Sequence, residues 1–234
     1  EEFIYDNMGR RKQHISSVSG TEDYLYSDDG LLMKIELLQA TKNKSFEYEN
    51  GKIVKETENG KSKKLFYDVK NRLSKVELST GEYERYTYCP FDNIIGKYNS
   101  KTKQKTSYLY DNEDIVAELD KSGMVQKETV HGPGIDEPLW MTTKKGRRYY
   151  SSDHLGSITH LTDSEGNITD SYTYRAFGEF EHENTSESVN DSDVQNDYGF
   201  TGRTFDTFTG LMNYRSRHYM PNTGIFTQQD SYPS

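Results

Sequence analysis

Cysteine is nearly absent. Cys89 is the one thiol in 234 residues, which excludes an intrachain disulfide framework and a cysteine-based zinc cluster. With no activating base beside it in the sequence, it reads as a small filler and not a nucleophile. Aliphatic bulk is also scarce: hydrophobic residues make up 32% of the chain and the mean hydropathy is −0.98. No apolar run approaches the roughly 18 residues needed to span a bilayer, and the opening EEFIYDNMGR has no signal-peptide pattern. An excess of basic charge is missing too. A net charge of −9 and a pI near 5.2 argue against a nucleic-acid backbone or an anionic membrane as the main partner, leaving room for a local basic patch. The first residues already fall inside the repeat described next, so the chain reads as an internal fragment, with any export signal expected upstream.

What the chain has instead is 19 Tyr and 10 Phe, rings with apolar bodies that suit a half-buried sheet face. Tyr5, Tyr26, Tyr48, Tyr67, Tyr88 and Tyr110 recur at spacings of 21, 22, 19, 21 and 22 residues. Two positions before each stands another large apolar group, Phe3, Tyr24, Phe46, Leu65, Tyr86 and Tyr108, which is the periodicity of one strand face. A cluster of turn formers follows each tyrosine, such as DNMGR, SDDG, DVKN and DNED. Short β-rich runs come next, among them Leu73 to Leu78 and Ile115 to Leu119, and the segments at 58–61 and 79–81 read as the opposite turns. One hairpin is marginal alone, so a series of them implies stacking along an extended sheet.

The pattern changes near residue 130. Residues 1–130 are expected to be repeat hairpins and 131–234 a second segment folding on the same sheet, with the acidic stretch at 181–197 as a mobile loop. His154 and His160 lack the partners of a metal or catalytic site, and His14, His131, His182 and His218 likewise read as packed or hydrogen-bonded. The Asp/Asn/Gly turns do not match a calcium loop, and the glycines form no phosphate loop. No cofactor or metal is therefore expected.

Tyr5-Asp6 with Gly9-Arg10, Tyr67-Asp68 with Asn71-Arg72-Leu73, and Tyr110-Asp111 resemble the tyrosine-aspartate (YD) repeat of RHS proteins, Tc-toxin shells and the teneurin barrel. GPGIDEPL at 132–139, YYSSDHLGSI at 149–158, YTYRAFGE at 172–179 and FTGRTFDTFTGLMNYRSRHYMPNTGIF at 200–226 resemble, in order, the RHS-associated core segment. The resemblance implies an all-β chain of stacked antiparallel hairpins in a curved or spiral sheet, as part of a hollow shell. It also implies a function: wall and plug of a container that encloses and helps deliver a C-terminal toxin or effector. The implied partners are the rest of the shell and that cargo, with no nucleic acid or membrane contacting this fragment. Export from bacteria is implied as well, and open sheet edges would permit self-association.

Many members carry an aspartate-dependent self-cleavage site. By that resemblance Arg217 matches the arginine of its R-x-Y-x-P-x-x-G element and Asp230 its first catalytic aspartate, with Arg215 in support on the same strand face. The bland reading of Arg217 is a salt bridge between strands. The family's second aspartate lies further downstream, and a lone carboxyl cannot divide the roles of acid and base, so this fragment is not expected to act as an enzyme by itself. Ser231-Tyr232-Pro233 also departs from the proline that commonly follows the first aspartate. A different reading remains open: an aromatic-repeat module binding carbohydrate or cell wall. It requires Tyr26, Tyr48, Tyr67 and Tyr88 to be open to solvent.

Overall fold

The computed structural model describes residues 2–17, 20–37, 43–181 and 196–229. Residues 182–195, the bulk of the stretch expected as a mobile loop, and Asp230 lie outside them. The chain divides into two compact units, one formed by residues up to Tyr83 with Gln228 and Gln229, the other by Glu84–Thr227.

The first unit is a run of antiparallel strands, each paired with the next: β1 (Glu2–Tyr5), β2 (Arg11–Ser16), β3 (Gly20–Tyr26), β4 (Leu32–Leu37), β5 (Asn43–Glu49), β6 (Lys52–Glu58), β7 (Lys61–Tyr67) and β8 (Leu73–Leu78). The repeat grammar explains its geometry. At Tyr5, Tyr26, Tyr48 and Tyr67 the strand register slips, leaving a bulge at the strand end, and Tyr26, Tyr48 and Tyr67 are half-buried there while Tyr5 stays exposed. The hydroxyls of Tyr26, Tyr48 and Tyr67 then donate to the backbone carbonyls of Arg11, Leu32 and Ile53 at 2.7, 2.9 and 2.8 Å. Each tyrosine thus ties its own turn to the start of the preceding strand.

The aspartate that follows organises the turn. Asp6 Oδ1 accepts the N–H groups of Met8 and Arg10, both at 2.9 Å, and Oδ2 accepts Arg10 Nε at 2.7 Å. Asp68 repeats this with Lys70 and Arg72. These are side-chain bonds to backbone donors that would otherwise go unpaired in a tight turn. The positions two before each tyrosine supply the core: Tyr24, Phe46 and Leu65 are buried, with Ile53, Leu73 and Val76 fully so. Each such side chain contributes about 1.5–3 kcal/mol of apolar transfer.

The second unit continues the same pattern with β9 (Tyr83–Tyr88), β10 (Ile94–Asn99), β11 (Gln104–Asp111), β12 (Asp114–Leu119), β13 (Val125–His131), β14 (Pro138–Thr143), β15 (Gly146–Ser152), β16 (Ile158–Thr162) and β17 (Ile168–Ser171). A short hairpin follows, β18 (Thr173–Tyr174) with β19 (Phe180–Glu181). The chain then returns in a four-stranded sheet of β20 (Thr204–Asp206), β21 (Leu211–Tyr214), β22 (Arg217–Met220) and β23 (Ile225–Phe226). Among the described residues the only helical turn is at Phe200–Gly202. The expected all-β architecture of antiparallel hairpins is therefore what these residues form. Met141, Ile158, Leu161 and Tyr198 make a buried cluster here, so the returning segment shares a core with the hairpins of its own unit.

Candidate functional site

Counting back four residues from the bulged turn position selects a charge in most repeats: Glu22, Lys44, Lys63 and Glu84 before Tyr26, Tyr48, Tyr67 and Tyr88. His131 takes the tyrosine's place after Tyr110, at the same kind of register slip, and four residues before it is Lys127. Alternation puts positions two and four back on the same face as the turn residue, so these charges point where the apolar side chains point. Glu84 is 1% exposed and Lys127 is 4%. A buried charge must be met by another, and in the second unit the meeting groups come from two places.

Lys127 Nζ lies 2.6 Å from Glu118 Oε1 on the neighbouring strand, which sits directly opposite it in register. Its other partner is the Asp197 carboxylate, carried by the returning segment. Glu84 forms the second cluster. Asn99 Nδ2 donates to its Oε2 at 3.2 Å, Lys97 Nζ stands 3.9 Å from Oε1, and the same ammonium is 2.9 Å from Asp206 Oδ2 on β20. Asp206 is itself fixed by the N–H groups of Phe208 and Thr209 at 2.9 and 3.0 Å.

In both clusters two carboxyls stand at one ammonium. Burial, reinforced by the hydrogen bond to Asp206, pushes Glu84 up to about 9. Burial and the neighbouring Asp197 carboxylate push Glu118 up to about 7. Against the cost of burial, the bond from Glu84 and the Lys97 ammonium hold Asp206 well below the usual carboxylate range. Asp197 is likewise held down, against burial, by Lys127 and Lys97. In each cluster the glutamate is thus pushed toward its protonated form and the aspartate toward its ionised one, the division expected of two acids that share one cation. A cavity of about 40 Å³ lies among Lys97, Tyr108, Glu118, Asp197, Asp206 and His218. It has room for water but not for a peptide or an organic cofactor. His218 is buried against the Tyr86 ring, with centroids 5.2 Å apart, and burial pulls it down to about 4.

Two further contacts seat the returning segment. Where the repeat has His131 instead of tyrosine, Tyr198 supplies the missing ring: its hydroxyl is 3.1 Å from His131 Nε2 and 3.5 Å from the carbonyl of Ile115. Elsewhere in this unit the equivalent carbonyls, of Ile94 and Ile158, accept from Tyr110 and Tyr174 at 2.9 and 2.6 Å. The GPGIDEPL motif is held by the other core motifs, since Arg203 reaches Asp136 at 2.7 Å and Arg215 reaches Glu113 at 2.6 Å and Asp136 at 3.6 Å. Gly202 permits this approach: it has φ +69, and a Cβ there would lie 2.1 Å from the Asp136 carbonyl oxygen.

Of the residues expected to carry chemistry, Arg217 opens β22 with its guanidinium 3.9 Å from the centroid of the Phe226 ring, and Asp230 lies outside the described residues. The expectation that Arg215 shares a strand face with Arg217 is corrected. Tyr214 pairs directly with Arg217, so Arg215 sits in the two-residue turn between them, at φ +62, and its side chain goes to Glu113 and Asp136. Glu84, Lys97, Glu118, Lys127, Asp197 and Asp206 were not expected from the sequence. A charge at an inward position of the alternation, as at Glu84 and Lys127, was the available signal.

No protein-family model matches the chain. It is 27% identical over 239 residues to the tRNA3(Ser)-specific nuclease WapA of Bacillus spizizenii and 28% identical over 236 residues to the tRNA nuclease WapA of Bacillus subtilis, in each case over 99% of this chain and 10% of the relative. It is also 27% identical over 188 residues to salivary gland surface protein 1 of Aedes aegypti, covering 71% of this chain and 5% of that protein. The chain therefore spans about a tenth, or less, of the length of these relatives. Among solved structures, the complexes TcdB2-TccC3-Cdc42 and TcdB2-TccC3-TEV share its fold, with TM-scores of 0.56 and 0.57 at 15% identity, over 98% of this chain and 16% of theirs. Bulged tyrosine turns, the ordered motifs after residue 130, similarity to these relatives along almost the entire chain and this shared fold are the features by which it is similar to RHS repeat proteins.

Proposed function

We propose that this chain is wall and plug of an RHS-type container that encloses a C-terminal toxin or effector and is exported with it. The wall is the bulged hairpin series, residues 1–130. The plug is the segment from residue 131, whose last part returns onto the repeat strands. The observation that carries this reading is the pair of carboxylates, Asp197 and Asp206, reaching out of the returning segment to the buried Lys127 and the partly buried Lys97 of the hairpins. A segment that only linked two domains would have no reason to bury charge in this way. The partners are the remaining repeats of the same protein and the cargo.

The test uses the full natural protein carrying its downstream domain, with and without Asp197→Ala and Asp206→Ala together. Wild-type cargo is expected to resist proteinase K, and cargo in the double variant to be digested. Equal digestion of both would sink the plug.

Arg217 and Asp230 are part of the proposal as a self-processing element, supported by their spacing alone. Intact mass of a chain extended past Ser234 is expected to show cleavage, abolished by Asp230→Asn; an uncut extended chain removes the element and leaves the container. The carbohydrate-binding alternative is disfavoured by the ladder, because Tyr26, Tyr48 and Tyr67 are half-buried and their hydroxyls are already bonded to backbone.

A further inference from the structure

The two clusters contain four carboxyls, Glu84, Asp206, Glu118 and Asp197, against two ammonium groups, Lys97 and Lys127. Buried charge that is not balanced is expensive, so two protons are needed to bring the count to zero. His218, which faces Asp206, is too strongly buried to supply charge near neutrality. We propose, resting on the plug reading above, that the proton-sharing pairs Glu118 with Asp197 and Glu84 with Asp206 form a pH-dependent seal. It is closed while each pair keeps its proton, and it releases residues 196–206 from the hairpins when alkalinity removes them.

Among the described residues, the groups that face the pairs include Tyr110 of β11 against Glu118 and Tyr172 against Asp197, both raised chiefly by burial and so neutral. Glu118 is faced by Lys127 of β13, by Asp197 and Tyr198 of the returning segment, by Tyr108 of β11 and by Tyr150 of β15. Glu84 is faced by Lys97 and Asn99 of β10, by Asp206 of β20 and by Tyr86 on its own strand. Burial raises Tyr86, Tyr108, Tyr150 and Tyr198 as well, so they stay neutral. Against the cost of burial, the surrounding anionic groups raise both lysines, so they stay charged in the closed and opened states.

The sign follows from the two glutamates. Each is raised above its ordinary 4.5, so each contributes stability that is complete below that value and lost as the pH rises through the raised one. His218 and His131 are lowered, chiefly by burial, and oppose this only below the ordinary imidazole value of 6.5, where opening would let them take up protons. Asp197 and Asp206 are ionised in both states there. The seal is therefore firm up to neutrality. Between about pH 7 and 9, where one proton still separates closed from open, the opening equilibrium rises about tenfold per pH unit.

Hydrogen–deuterium exchange on the chain as it stands, from pH 6 to 9 and corrected for the intrinsic exchange rate, reads this opening in peptides covering 196–212. Wild type is expected to open about a hundredfold more at pH 9 than at pH 7. Glu84→Gln with Glu118→Gln, permanently neutral and still hydrogen-bond donors, should hold the segment closed across the range. An infrared band of a protonated carboxyl should be present in wild type at pH 6 and gone above pH 9. A protected segment with flat pH dependence, a double variant that keeps the slope, or no carboxyl band at pH 6 overturns the seal while leaving the plug. A segment unprotected at every pH overturns the plug as well.

Discussion

The two units place charge at the same repeat position and use it differently. In the first, Lys63 meets Glu56 at 2.9 Å and Lys44 meets Glu58 at 3.4 Å, each a pair from adjacent strands. In the second, Glu84 with Lys97 and Lys127 with Glu118 are each joined by an aspartate from the returning segment. A pair closes on itself, whereas a lysine with two carboxyls holds together two stretches of chain far apart in sequence. The difference teaches that a repeat need not change its pattern to become a docking point. It needs only a neighbour that delivers one more acid.

Removing the shared cation tests this most severely. Lys127→Met leaves Glu118 and Asp197 without the ammonium they share, and the loss is expected to be about 3–5 kcal/mol, read from the urea midpoint at pH 8. A loss below 1 kcal/mol would mean that the third charge holds nothing. Gly202→Ala forces a Cβ onto the Asp136 carbonyl and strains a positive φ, with an expected cost of about 2–3 kcal/mol. The same denaturation series checks it, together with earlier proteolysis near residue 202.

Smaller effects belong to the first unit. Tyr67→Phe removes one hydroxyl bond to Ile53, at an expected cost of about 1 kcal/mol; a value near zero would reduce the ladder to ring packing. Glu58→Gln weakens a pair whose carboxylate is 41% exposed, so less than about 1 kcal/mol is expected. Should Glu58→Gln cost as much as Lys127→Met, the contrast between pairs and three-membered clusters fails.

The repeat was legible because its signals are local. Tyr26, Tyr48 and Tyr67 each stand two residues after a large apolar group, a pairing no helix produces, and Asp6 and Asp68 sit at turn positions where their own backbone supplies the bonding partners. The strand at Leu73–Leu78 falls where the β-rich run indicated. Arg215 was misplaced because a two-residue turn looks, in sequence, like a continued alternation. The charge clusters were not legible as a site, since Glu84 and Asp206 are 122 positions apart and Lys127 and Asp197 are 70 apart. Nothing local links them.

The sequence by itself determined that this is an all-β chain of repeated hairpins, because strand alternation, turn chemistry and the tyrosine repeat act within about twenty residues. Only the tertiary structure decided which buried charges would be paired within a hairpin and which would await Asp197 and Asp206. The physical reason is that burial makes a charge depend on whatever the fold brings within a few ångströms, and that distance is not written along the chain.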